Sequence, residues 1–218
     1  MTKNLSERIL TSLFLFVILS IGIFINKYLF LLLLIASSLI SFSEFKNLIK
    51  KSFKNEVKLI NTIQILSALF FILFVYSSYE IYSQSPITII WIISICIFSD
   101  TGGYIIGNLV GGKKLTKISP NKTIAGSFGS FIFSLIPLIF LSHINEIFNN
   151  FPFTQLIIIS LLLSLICQVG DLLISYFKRK AKVKDTGSIL PGHGGLLDRI
   201  DGLIFVLPAA YLIDKLIF

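Results

Sequence analysis

Residues 183–202 read VKDTGSILPGHGGLLDRIDG, and the reading of the whole chain turns on what this stretch is for. It holds three aspartates, a histidine, five glycines and a proline, inside a chain that is 55% hydrophobic. A polar loop of this kind is costly to keep in a chain so apolar, so it is expected to hold something.

The surrounding composition sets the class. Only 14% of the 218 residues are charged and the mean hydropathy is +0.89, where soluble domains carry about 25% charge. Stretches approaching the ~20 apolar residues that span a bilayer fall at 9–25, 28–45, 59–79, 86–110, 124–142, 153–177 and 202–218. The expected fold is an all-α integral membrane protein of about seven transmembrane helices, with cytoplasmic loops forming the active site. Residues 1–85 would supply the N-terminal helices and 86–218 the catalytic region of one integrated membrane domain. The basic N-terminus lacks a small-x-small cleavage site, so 9–25 is read as a retained first span.

Charge placement orients the chain. With a cytoplasmic N-terminus, the inner segments (the tail, 46–58, 111–123 and 178–201) hold every Lys and Arg except Lys27 and Lys215. The opposite loops, 80–85 and 143–152, hold none. That asymmetry follows the positive-inside rule for an odd number of spans. The net charge of +8 is therefore read as topology and attraction to anionic head groups or phosphates, and no nucleic-acid partner is expected. Cys96 and Cys167 lie in apolar runs and are read as small core fillers. With no CxxC or His/Cys cluster, zinc and disulfide scaffolds are unsupported.

Two acids interrupt the spans. Asp100 and Asp171 would sit on the order of 10–15 Å below the cytoplasmic surface at ~1.5 Å per residue. A carboxylate at that depth is costly and usually faces a cavity or a partner. Both could line one inward-open cavity; the alternative is a buried, paired role in helix packing. The glycines of TGGYIIGNLVGG (101–112) permit close approach of either a ligand or another helix.

The loops carry the chemistry of phosphate. GGKKLTKISPNKT (111–123) offers four lysines, with Ser119 and Thr123 just before the fifth span, where a helix N-terminus favours anions. Further on, KRKAKVKD adds five bases beside PGHGG and DRID. Asp198 and Asp201 share one face of a turn and suit Mg²⁺, which takes carboxylates, waters and substrate phosphates. Glycines 192, 194 and 195 could free backbone N–H groups for phosphate oxygens. Together these residues suit phosphoryl or nucleotidyl transfer, without a Walker A loop.

SYFKRKAKVKDTGSILPGHGGLLDRID, Ser175–Asp201, resembles the signature of the phosphatidate cytidylyltransferase (CDP-diacylglycerol synthase) family. SDTGGYIIGNLVGGKKLTKISPNKT at 99–123 and QVGDLLIS at 168–175 resemble further blocks of it, whereas residues 1–85 match only as hydrophobic spans. Family members often carry glutamate where Ala125 and Ile174 stand here. The resemblance implies transfer of a cytidylyl group from CTP to phosphatidic acid at the bacterial inner (plasma) membrane, with a cytoplasmic active site and a homodimer. On that reading Asp171, Asp198 and Asp201, with Asp100, bind Mg²⁺ and a second cation. Lys122, Lys178, Arg179, Lys184 and Arg199 hold the phosphates of CTP and lipid, helped by Ser119, Thr123, Gly194 and Gly195. Asp185 either ligates metal or braces a lysine, and His193 either moves a proton or braces the loop. The alternatives are a CTP-dependent polyprenol or phytol kinase, a non-catalytic homologue, and a membrane transporter. The DxxDGxxAR pattern of CDP-alcohol phosphotransferases is absent.

Overall fold

The computed structural model describes residues 3–54, 56–141 and 152–217; most of the expected outer loop at 143–152 lies outside them. Among the described residues there are nine α-helices and no β-strand, only two isolated bridges. The helices are α1 (Lys3–Ile25), α2 (Lys27–Ser52), α3 (Val57–Gln84), α4 (Pro86–Val110), α5 (Ile124–Phe133), α6 (Ile136–Leu141), α7 (Phe153–Lys180), α8 (Leu197–Ile200) and α9 (Leu203–Ile217). The all-helical expectation holds. Four of them, α2, α3, α4 and α7, are long and apolar enough to cross a membrane.

Local chemistry sets the boundaries. Asn26 caps α2 by accepting the Tyr28 amide at 2.8 Å, and Lys50 and Lys51 complement the negative dipole of its last turn. Pro86 opens α4 at the position where a missing N–H costs nothing. The apolar stretch 124–140 is two short helices because Pro137 cannot donate to the carbonyl one turn back. A turn at Ser134–Leu135 intervenes. Pro208 likewise lies inside the 15-residue α9.

The chain forms two compact units. The first comprises Met1–Pro86 with Phe177–Asp201, and the second Ile87–Tyr176 with Gly202–Phe218. In the first, Phe45 meets Phe177 edge-on at 5.5 Å and Ser52 Oγ donates to the Phe177 carbonyl at 3.2 Å. These contacts fasten the last turn of α7 to α2. Tyr82 Oη reaches the Ile23 carbonyl, tying α3 to α1.

In the second unit α4 and α5 pack through glycine. A Cβ on Gly102 would lie 2.6 Å from the Gly129 carbonyl oxygen, and one on Gly126 would lie 2.7 Å from that of Gly103. The glycines of 101–112 thus serve helix packing, as small residues do in membranes. Gly111 and Gly112 then end α4 in the left-handed region.

Candidate active site

The signature segment belongs to the first unit, and its path begins at the end of α7. Val183 N–H bonds the Lys178 carbonyl and Lys182 N–H that of Arg179, a Schellman stop with Lys182 at φ 56° where glycine is usual. Next, Leu190-Pro191-Gly192-His193 forms a turn closed by His193 N–H to the Leu190 carbonyl at 2.9 Å. Proline second and a left-handed glycine third are what a type II turn requires. The Thr11 hydroxyl reaches the Pro191 carbonyl, and Ser12 Oγ lies 3.3 Å from His193 Nε2, so α1 backs this turn.

Two carboxylates hold the rest of the loop. Asp198 Oδ1 pairs with Lys178 Nζ at 2.8 Å. Its Oδ2 accepts Thr186 N–H at 2.7 Å, Thr186 Oγ1 at 2.9 Å and Gly195 N–H at 3.0 Å. Burial pushes the Asp198 carboxyl up, but the bonds from Lys178, Thr186 and Gly195 and the lysine's charge outweigh it and hold the group below the ordinary carboxylate value. Glu44, 5% exposed on α2, accepts Leu196 N–H at 3.1 Å and Leu197 N–H at 2.8 Å, and lies 3.1 Å from the Thr186 hydroxyl, whose single proton it shares with Asp198.

The glycines follow from these acids. A Cβ on Gly187 would come within 2.5 Å of Glu44 Oε1, and one on Gly195 within 2.5 Å of Glu44 Oε2. The sequence-based expectation was that Gly194 and Gly195 offer amides to phosphate. Instead the Gly194 amide donates to Leu190 and the Gly195 amide to Asp198, because a carboxylate inside the loop competes for them first.

The second unit carries a polar seam along α7, where Ser164, Cys167, Gln168, Asp171 and Ser175 recur at helical spacing. Ser164 Oγ lies 2.9 Å from Ser99 Oγ, and Gln168 takes the Ser127 hydroxyl. Cys167 Sγ is 4.0 Å from Asp100 Oδ1, and the Ser175 hydroxyl is 3.3 Å from Asp171 Oδ1. Asp171 forms an ion pair with Lys122. Both cysteines are buried, but Cys167 lies on this seam as well as filling space. Its sulfur also sets Gly202, where a Cβ would lie 2.5 Å away.

The expected site residues therefore fall into two groups. Asp100, Ser119, Lys122, Thr123 and Asp171 belong to the second unit, and Lys178, Arg179, Lys184, Asp185, His193, Gly194, Gly195, Asp198, Arg199 and Asp201 to the first. The Thr123 hydroxyl caps α5 by accepting Gly126 N–H at 3.0 Å, which occupies it as a helix cap. Arg199 donates to the His193 carbonyl at 3.0 Å, and Asp185 packs against Gly194. Arg179 and Lys184 are exposed.

Among the described residues no group of three or more His, Cys, Asp or Glu is placed to hold a metal ion. Asp198 takes Lys178 on Oδ1 and the Thr186 and Gly195 amides on Oδ2, so a metal ion there would have to compete with donors that shape the loop. Asp100 and Asp171 are carboxylates on this seam, and Mg²⁺ needs only one or two, completing its shell with water and phosphate. Sequence reasoning missed Glu44 and Thr186. Glu44 stands at the end of an apolar run (ISFSEF), the same signal that singled out Asp100 and Asp171.

The profile of the cytidylyltransferase family matches residues 62–217. The chain belongs to that family. Among curated relatives, the "Phosphatidate cytidylyltransferase" of Staphylococcus saprophyticus is 46% identical over 132 residues, 60% of this chain and 50% of that protein. The same-named proteins of Bacillus subtilis and Staphylococcus haemolyticus are 40% identical over 132 residues (60% and 48% of the two chains) and 50% identical over 112 residues (50% and 42%). The chain spans about half the length of the curated relatives it matches.

Proposed function

We propose that this protein transfers a cytidylyl group from CTP to phosphatidic acid, giving CDP-diacylglycerol and pyrophosphate. The observation that carries this reading is the family match, whose span takes in both the α7 seam and the braced loop. The printed names of the relatives support the same reaction over a lipid kinase or a transporter.

The chemistry asks for charge control more than for a base. A phosphate monoester with a second pKa near ~6 is already largely ionised at neutral pH. Its oxygen attacks the α-phosphorus of CTP, forming one P–O bond. The bond to the β-phosphate breaks, and pyrophosphate leaves with the electron pair. The demands are to bring polyanions together and to stabilise the leaving group. Exposed Arg179 and Lys184 suit phosphate contact, as does Lys122 when a substrate phosphate competes with Asp171 for it, and Ser119 adds a hydroxyl. Mg²⁺ held by Asp171 with Asp100 would supply charge stabilisation at the phosphates. Lys178, Asp198, Glu44 and the His193 turn keep the loop in shape.

In this reading α1, α5 with α6, and α9 cross the membrane beside the four long helices, giving about seven spans. The loops face the cytoplasm of a bacterial inner membrane, and the protein works as a homodimer. The test is purified full chain in phosphatidate-containing micelles with CTP labelled in its α-phosphate, with Mg²⁺ or with a chelator. A labelled liponucleotide is expected with Mg²⁺. Labelled CDP with a phosphorylated alcohol would instead make the protein a kinase, and solute flux without nucleotide consumption would make it a transporter.

A further inference from the structure

Two cavities of the first unit share a wall on α2. The larger, about 530 Å³, is an almost wholly apolar groove bounded by Leu31, Ile35 and Leu39 of α2 and by Ala68, Phe71 and Val75 of α3. The smaller, about 410 Å³, has a mixed lining, with Leu39, Ile40 and Ile189 beside Ser43, Asn47, Thr186 and the Glu44 carboxylate, whose oxygens are held by loop donors. Leu39 lines both. Their sizes lie in the range of small-molecule sites.

We infer that the two cavities form one lipid subsite: an acyl chain of an anionic diacyl phospholipid lies in the α2–α3 groove, and its ester-bearing glycerol lies in the mixed cavity beside the loop. Where that lipid is taken as the nucleophilic substrate, the inference rests on the function proposed above. Leu31, Ile35, Leu39, Ser43 and Asn47 recur every four residues, so a single stripe of α2 passes from apolar to polar. That gradient matches the order of groups in a phospholipid read from chain to ester. The Ser43 hydroxyl and Asn47 amide can donate to ester carbonyls, and neither is engaged by protein among the described residues.

An apolar partner helix would fill the groove but make no use of these two exposed polar groups. In lipid it would also gain no hydrophobic driving force from the apolar wall. The mixed cavity ends on Thr186 and Gly187, beside Glu44 and Asp198, and exposed Lys184 lies two residues from Thr186. An ester seated there puts the attached phosphate beside the basic part of the loop.

The experiment uses full-length protein in phosphatidylcholine nanodiscs with phosphatidate bearing a photoactivated diazirine near the end of one acyl chain. Crosslinks are expected on peptides covering 31–42 and 68–79, removed by excess phosphatidate and not by phosphatidylcholine. Ala68→Trp, which fills the groove, should lower this crosslinking. Ser43→Val with Asn47→Leu should raise the KM for phosphatidate by about tenfold, the scale of a lost polar contact, with the KM for CTP unchanged. Crosslinking needs no turnover, so specific capture without a cytidylyl product would sink the proposed reaction and leave the subsite standing. Crosslinks elsewhere, or equal competition by phosphatidylcholine, would overturn the subsite. So would dissociation of an oligomer by Ala68→Trp with lipid capture intact, which would assign the groove to a second copy of the chain.

Discussion

Asp198 accepts from Lys178 and from the Thr186 and Gly195 amides, and shares the Thr186 hydroxyl with Glu44, whereas Asp171 pairs with Lys122 and lies beside the Ser175 hydroxyl. Burial separates them too. The Lys178–Asp198 side chains are 12% and 6% exposed, and those of Lys122–Asp171 are 29% and 25% exposed. A buried carboxylate that holds backbone amides shapes the chain. A half-buried one paired with a half-exposed lysine can exchange that lysine for a ligand. The two regions look alike as acids beside lysines, yet one braces a loop, and the other is the one that the proposed function uses for binding.

The largest effect on folding should come from the brace. Asp198→Asn leaves Lys178 buried without its counter-charge, and breaking such a pair costs about 3–5 kcal/mol, read as a lowered unfolding temperature in detergent. Little change would mean that the pair is already solvated. Glu44→Gln comes next: one of the Leu196 and Leu197 amides then faces an NH₂ group instead of an acceptor. The expected cost is about 1–3 kcal/mol, with faster hydrogen exchange confined to 186–197. Gly195→Ala, which pushes a methyl against the Thr186 hydroxyl, Glu44 Oε2 and the Gly187 backbone nitrogen, should cost about 1–3 kcal/mol by overpacking, read as a lowered unfolding temperature.

In the seam the order of effects reverses. Asp171→Asn should cost no more than about 1 kcal/mol of stability, as for an accessible ion pair. Cytidylyl transfer should fall by about 10²–10³, the scale of a lost electrostatic contact at a reacting centre. If stability fell as far as in Asp198→Asn, the contrast between brace and binding place would be gone. The smallest effect concerns pH. Asp198 is held below its ordinary value, so its contribution is complete above the unfolded-chain pKa of about 3.9 and is lost only as pH falls through the lower folded value. Protection factors of the Thr186 and Gly195 amides should therefore stay level from neutrality down to that point; a loss near pH 5 would contradict the bonding described.

Much was legible in the residues. Hydropathy and the clustering of Lys and Arg identified a helical membrane chain. Asp100 and Asp171 stood out because an acid in an apolar run has few cheap explanations, and SYFKRKAKVKDTGSILPGHGGLLDRID carried the family. For the glycines of 101–112 a ligand and a helix were both open, and the structure brings a helix backbone to Gly102. The loop glycines differed for a physical reason: the Gly194 and Gly195 amides were expected on phosphate, but a turn carbonyl and a protein carboxylate take them first. Arg199 was similarly engaged by the His193 carbonyl.

What the sequence determined alone is what depends on composition and local spacing: the solvent the chain prefers, where its helices run, and which residues can carry phosphate chemistry. Only the tertiary structure decided which acids are already satisfied. Hydrogen-bond capacity is finite, and Glu44 reaches Leu196 and Leu197 only after the chain has folded back across some hundred and fifty residues.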